Sequence, residues 1–187
     1  MSQMNIPNLI TILRFVITPM VVLLLLVDQL WSGIIVAVLI TIAGISDFLD
    51  GYLARYWKIE TDVGRLLDPV ADKVLVLATL IMLISLGRVH AILVVIIVSR
   101  EVLITGMRAI ASAKNLIIPA LAMGKLKTTF QMIAAGALAV HENLFGINAH
   151  LLGLICLYLS LFFSIYSAIQ YIQSFSHCLH DKHFIKP

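Results

Sequence analysis

DFLDGYLARYWKIETDVGRLLDPVAD, from Asp47 to Asp72, places four aspartates where two long apolar runs meet. Asp47 and Asp50 are three apart and Asp68 and Asp72 four apart, so on helices each pair shares a face. The intervening stretch is short enough to fold the second pair back against the first. Carboxylates in or beside a bilayer are costly, and four converging ones repel. A hard divalent cation removes that conflict. Mg²⁺, with Mn²⁺ as the alternative, prefers oxygen ligands and keeps positions for water or phosphate. Two such ions fit four carboxylates and would clamp a diphosphate between them. Gly51, Ala54 and Gly64 leave room for a nucleotide to approach the backbone, and Arg55 carries a fork of donors suited to phosphate. Pro69 after Asp68 suits the first turn of a helix. Pairing of single aspartates with Arg55, Arg65 or Lys73 as structural glue stays open from spacing alone.

Outward from this segment the chain is apolar nearly throughout. Of its 187 residues 61% are hydrophobic and 12% charged, and its mean hydropathy is +1.04. A soluble domain is about 45–50% apolar and about 25% charged. The excess cannot fit in one small core, so much of the surface is expected to face lipid. Spanning helices need about 20 mostly apolar residues. Six runs qualify: residues 9–27, 32–53, 68–86, 91–113, 123–140 and 149–174. The expected fold is all-α, a single membrane domain over residues 1–187. Residues 28–31 and 87–90 read as tight hairpins, and 55–67 and 114–122 as longer polar connections. Asn8 reads as the N-cap of the first helix, and Pro119 as a break before the fifth. No stretch reads as a removable signal peptide.

Lys and Arg placement orients the bundle. Arg14, Arg55, Lys58, Arg65, Arg108, Lys114, Lys125, Lys127, Lys182 and Lys186 fall on one side, and Arg88 on the other. The first side is expected to be cytoplasmic, with both termini there and the protein in the inner membrane. The net charge of +3 suits a face near anionic lipid, and with no basic run a nucleic-acid partner is not expected. Cys156 and Cys178 lack metal-ligand spacing and read as apolar fillers. Ser160, Ser164, Ser167 and Gln170 recur at helical spacing and are expected to bond across helices. His141, Glu142 and His150 lie on the side away from the aspartates, where a second zinc site is not expected. His177, His180 and His183 read as solvated.

Asp47-x-x-Asp50-Gly51-x-x-Ala54-Arg55-x8-Gly64-x3-Asp68-x3-Asp72 resembles the signature of the CDP-alcohol phosphatidyltransferases without a departure, and the likeness runs from Asn5 through the fifth helix. The resemblance implies a homodimer of six-helix subunits, with a polar metal–diphosphate cavity near the cytoplasmic surface. It implies that all four aspartates hold metal and that Asp72 is also the base. The substrate would be CDP-diacylglycerol, bound by Asp47, Gly51, Ala54, Arg55 and Gly64, with Asn8 and Thr61 as further contacts. CMP would be the leaving group.

The acceptor alcohol must be read from the fourth and fifth helices. Arg100, Arg108, Lys125 and Lys127 make an anion pocket there, fit for a phosphate-bearing acceptor. Pairing of Arg100 with Glu101, and a positive-inside role for Lys125 and Lys127, stay open. The stretches SREVLITGMR and GKLKTTFQM resemble the branch of the family whose acceptor is glycerol 3-phosphate. Transfer to inositol phosphate or serine remains an alternative. A cation transporter using intramembrane acids, or a membrane prenyltransferase, is the reading from another class.

Overall fold

A bilayer interior offers the backbone no water, so each segment must satisfy its own N–H and C=O groups; for long apolar runs the solution is the α-helix. The computed structural model describes the backbone of residues 6–57, 62–113, 123–144 and 146–184, and side chains for 14–46, 73–113, 126–143, 146–176 and 178. Six helices form where six runs are expected: α1 (Ile6–Val27), α2 (Leu30–Trp57), α3 (Asp62–Ser85), α4 (Ala91–Ala113), α5 (Met123–Val140) and α6 (Ala149–Phe184). A short antiparallel pair, β1 (Asn143–Leu144) and β2 (Ile147–Asn148), lies between α5 and α6, a small addition to the all-α expectation. It closes through Gly146 at φ 79°, a backbone conformation that favours glycine.

Local signals set the helix ends. α3 stops at Gly87, φ 68°, where the Gly87 N–H donates to Ile84 O and the Arg88 N–H to Leu83 O, both at 3.0 Å. This double closure satisfies carbonyls that the helix would leave orphaned. Ser32 Oγ accepts from the Gln29 N–H at 3.2 Å at the start of α2, and Asn148 Oδ1 from the Leu151 N–H at 2.9 Å at the start of α6.

Six boundaries differ from the sequence expectation, the start of α2 (Leu30) and the end of α3 (Ser85) by only one or two residues. α1 begins at Ile6, so Asn8 is inside its first turn and is not the N-cap. Pro7 is tolerated beside it because N–H groups of a first turn have no helical partner anyway. α2 continues to Trp57 and α3 begins at Asp62, so residues 55–57 and 62–67 of the expected connection are helical. Pro69 therefore lies inside α3 and does not mark its first turn. α6 runs on to Phe184, ten residues past the expected end at 174 (184 minus 174). Polar residues end an apolar run but do not stop a helix, so hydropathy placed these ends too early. Pro119 lies outside the described residues.

Arg88 reveals how the helices are directed. Its guanidinium is buried in the α3–α4 turn, donates to Leu138 O at 3.1 Å and Ala139 O at 2.5 Å, and pairs with Asp28 of the α1–α2 turn. A cation at the carbonyl end of α5 complements the helix dipole. The three turns after α1, α3 and α5 thus meet at one end of the bundle. The ends of α2 and α4 and the starts of α3 and α5 lie at the other.

Helix α5 is the centre of the packing. It lies chiefly against α6 and α2, while α1 packs on α3 and α2 and α4 on α6. Small residues permit close approach, as lipid-embedded helices require. A Cβ added at Gly33 of α2 would lie 2.2 Å from Ala139 O, and one at Gly153 of α6 2.6 Å from Leu138 Cγ, so neither position has room for a side chain. Val21, Leu80, Leu83, Leu138 and Leu157 are fully buried, while Leu23, Val102 and Phe162 turn outward at 64%, 66% and 64% exposure. An outer surface this apolar is one that a soluble monomer rarely shows. Among the described residues, the stretch Ala149–Ser176 of α6 is long and apolar enough to cross a membrane.

Candidate functional site

The aspartates sit at matched depths on two consecutive helices. Asp50 is seven residues before the end of α2 and Asp68 six after the start of α3. At 1.5 Å per residue these are roughly 10 Å and 9 Å from the connection. Asp47 and Asp72 are each ten residues away, roughly 15 Å. The four acids therefore lie two to three turns inside the helices rather than at their ends. The described backbone puts Gly51, Ala54 and Arg55 on α2 and Gly64 on α3, all between the acids and the connection. The side chains of residues 47–57 and 62–72 lie outside the described ones, as do those of Asn8 and Lys125, and Thr61 lies outside the described residues altogether. Among the described residues no three His, Cys, Asp or Glu side chains converge.

One buried side chain braces this region. Arg14 of α1 is 4% exposed and donates through Nη2 to Ala43 O at 3.2 Å. Ala43 lies four residues before Asp47, so its carbonyl is the helical acceptor for the Asp47 N–H. The charge of Arg14 sits one turn from the first aspartate. The donor set fits hard divalent cations: four carboxylates on two faces, at i,i+3 and i,i+4, offer only oxygen ligands.

A second charged centre lies where α3, α4, α5 and α6 meet. Glu101 of α4 is buried at 6% exposure. It pairs with Lys127 of α5, accepts from Arg100 Nη1 at 3.0 Å, and lies 3.8 Å from Lys73 Nζ of α3. Lys73 also donates to Thr105 Oγ1 at 2.6 Å. Arg100 is anchored on α6, donating through Nε to Ser164 O at 2.9 Å and through Nη2 to Ser167 Oγ at 3.0 Å. Arg108, two turns further along α4, is exposed and lies over the Tyr171 ring, 5.6 Å from its centroid. Of the four cations expected to form an anion pocket, the structure brings Arg100 and Lys127 together on one carboxylate and sets Arg108 toward α6. Ser167 bonds across helices, as its spacing suggests.

Sequence reasoning took Glu101 only as a mate for Arg100 and overlooked Lys73 as a member of this cluster. The available signal was an ionisable residue in mid-run of an apolar helix, which is costly enough to imply partners. At the opposite end of the bundle, His141 Nδ1 and His150 Nδ1 lie 3.2 Å apart beside the turns that Arg88 ties together. Cys156 and Cys178 are free, and Cys156 is buried.

Paired acids on consecutive apolar helices, with a cationic centre on the following helices, stand in an all-helical bundle with an apolar outer surface. Residues 4–166 match the CDP-alcohol phosphatidyltransferase family, whose members are membrane-embedded and use divalent metal ions. The chain belongs to the CDP-alcohol phosphatidyltransferase family and is a transferase of phospholipid biosynthesis. A Bacillus subtilis protein is 34% identical over 181 residues, covering 90% of this chain and 94% of its own length. One from Haemophilus influenzae is 37% identical over 175 residues (91% and 93%), and one from Rickettsia typhi 33% over 171 (91% and 96%). All three bear the name CDP-diacylglycerol–glycerol-3-phosphate 3-phosphatidyltransferase.

Proposed function

We propose that this chain transfers a phosphatidyl group from CDP-diacylglycerol to glycerol 3-phosphate, giving phosphatidylglycerophosphate and CMP. The observation that carries the choice of a phosphate-bearing acceptor is the cluster of Lys73, Arg100 and buried Lys127 around the single buried carboxylate of Glu101. Two of these cations, Arg100 and Lys127, share the one Glu101 oxygen, which leaves them an excess of positive charge. A phosphate monoester carries about −1.5 to −2 at neutral pH and offsets that excess. Serine, lacking a phosphate, has no such claim on the pocket. The names borne by the relatives point to the same acceptor.

Asp47, Asp50, Asp68 and Asp72 would hold two Mg²⁺ ions, or Mn²⁺ in their place, which when bound neutralise charge on the diphosphate and on departing CMP. Arg55 binds a phosphate oxygen, and Gly51, Ala54 and Gly64 leave space for the nucleotide. Asn8 and Thr61 border the same substrate. The acceptor hydroxyl oxygen forms a bond to the phosphorus that bears diacylglycerol. The bond from that phosphorus to the CMP oxygen breaks, and Asp72 takes the hydroxyl proton. Lys127, Lys125, Arg100 and Arg108 hold the acceptor's phosphate, so the reaction is governed by positioning and charge.

A groove of about 520 Å³ between α2 and α5, lined by Ala37, Ile40, Gly44, Met132 and Gly136, begins one turn from Asp47. In this reading it would give an acyl chain of the donor lipid an apolar bed on the helix that carries Asp47 and Asp50. With purified protein, Mg²⁺ and CDP-diacylglycerol, glycerol 3-phosphate is expected to drive CMP release, while serine, inositol phosphate and glycerol are not. Release driven equally well by serine would reject this acceptor.

In this reading residues 1–187 form one six-span domain of the inner membrane, paired as a homodimer, with the metal cavity and both termini cytoplasmic. The support is the meeting of the Asp28, Arg88 and His141 turns at the end away from the aspartates. Arg88 pairs at that end with Asp28 and the α5 carbonyls, while Arg14, Arg55, Arg65, Arg108, Lys125 and Lys127 fall in the sequence on the aspartate side. With Cys156 and Cys178 replaced by alanine, single cysteines placed at residues 2 and 186 should resist an impermeant maleimide in sealed cells. Both should react once the cells are opened. Labelling of either from outside would overturn this orientation.

A further inference from the structure

Glu101 lies where Lys73, Arg100 and Lys127 converge, the place that an anionic ligand of those cations would take. A carboxylate this deeply buried is costly unless paired, and three cations this close repel each other without an anion between them. Structural pairing alone does not account for the arrangement. Arg100 is already held by Ser164 O and Ser167 Oγ on α6, and only Nη1 turns to Glu101. Lys73 has its own bond to Thr105. The carboxylate thus sits among Lys73 from α3, Lys127 from α5 and its own neighbour Arg100, of which Lys73 and Arg100 also have partners besides it.

We propose that Glu101 is a resident counter-ion of the acceptor pocket, competing with the acceptor's phosphate for Arg100, Lys127 and Lys73. This rests on the reading of these cations as the acceptor site. Empty of acceptor, the pocket is occupied by Glu101 and stays folded. A phosphate, with more charge and three oxygens, outcompetes the carboxylate, whereas a neutral alcohol cannot. Glu101 thereby sets the threshold acceptor concentration and selects for an anionic acceptor. It is a specificity-determining residue that takes no part in the bond changes.

The sign of its effect distinguishes this role from simple bracing. An occupant present about nine-tenths of the time lowers apparent affinity about tenfold. In the full-length enzyme with Mg²⁺ and CDP-diacylglycerol, Glu101→Gln is therefore expected to lower KM for glycerol 3-phosphate by about tenfold. The inhibition constant of inorganic phosphate should fall in parallel, with KM for CDP-diacylglycerol moving less. Glu101→Asp keeps the charge but withdraws it by one methylene, and should give a smaller fall in the same direction. If Glu101→Gln does not fold, the direction in Glu101→Asp decides. An unchanged or raised KM and inhibition constant in the folded variants would overturn the proposal. If the wild type releases no CMP with glycerol 3-phosphate, the acceptor reading fails separately. Thermal stabilisation by inorganic phosphate, larger in Glu101→Gln than in wild type, then still reports competition for the cations, and equal stabilisation rejects it.

Discussion

Asp47→Asn, Asp50→Asn and Asp68→Asn are each expected to abolish Mg²⁺-dependent CMP release while leaving the helical content of the purified chain unchanged. Asparagine keeps the shape of the side chain but loses the charge that a divalent cation needs from its ligands. Asp50 and Asp68 lie at matched depth on two helices and Asp47 one turn deeper, so each would approach a bound cation from a different position. Asp72→Asn removes the proton acceptor as well, and kcat should fall by about 10²-fold or more from that loss alone. Circular dichroism and CMP release on the same preparations check this together. Near-normal turnover in Asp47→Asn, Asp50→Asn or Asp68→Asn would sink the two-metal assignment.

The second large effect is expected in the acceptor pocket. Arg108→Ala and Lys125→Ala should raise KM for glycerol 3-phosphate with less change in KM for CDP-diacylglycerol, which in the proposed site Arg55 and the metal-holding aspartates would bind. A charge-assisted hydrogen bond of about 1.5–3 kcal/mol corresponds to roughly 10- to 150-fold. Arg108 is the more informative of the two. It is exposed and lies over Tyr171, so its removal does not strand Glu101 as removal of Lys127 would. Initial-rate kinetics with each substrate varied in turn provide the check. An unchanged glycerol 3-phosphate KM in both variants would reject this acceptor assignment and leave the family membership untouched.

These two predictions rest on different levels of organisation. The aspartate constellation is legible because its spacing is local. Asp47 with Asp50, and Asp68 with Asp72, share helix faces on any straight helix, and the two pairs lie at like distances from Trp57 of α2 and Asp62 of α3. The bounds of α4 and α5 are legible for a similar reason. Their apolar runs end at polar residues and at Gly87, whose backbone stops α3 before the turn into α4. Where polar residues continue a helix, as after Leu53 and Ser174, hydropathy marked the edge of the apolar run and the helix went further.

By itself, the amino-acid sequence determined the six helices, the family and the carboxylate faces, because hydropathy and i,i+3 or i,i+4 spacing act within one segment. Only the tertiary structure decided which distant charges meet. Glu101 and Lys127 are 26 residues apart, and Arg88 and Asp28 60 apart. Their pairing depends on how α5 nests between α2 and α6, and that depends on Gly33 and Gly153 having no side chain to hold the helices apart. A single helix shows an ionisable residue only as a cost; the packing of four helices brings Glu101 together with its three cations.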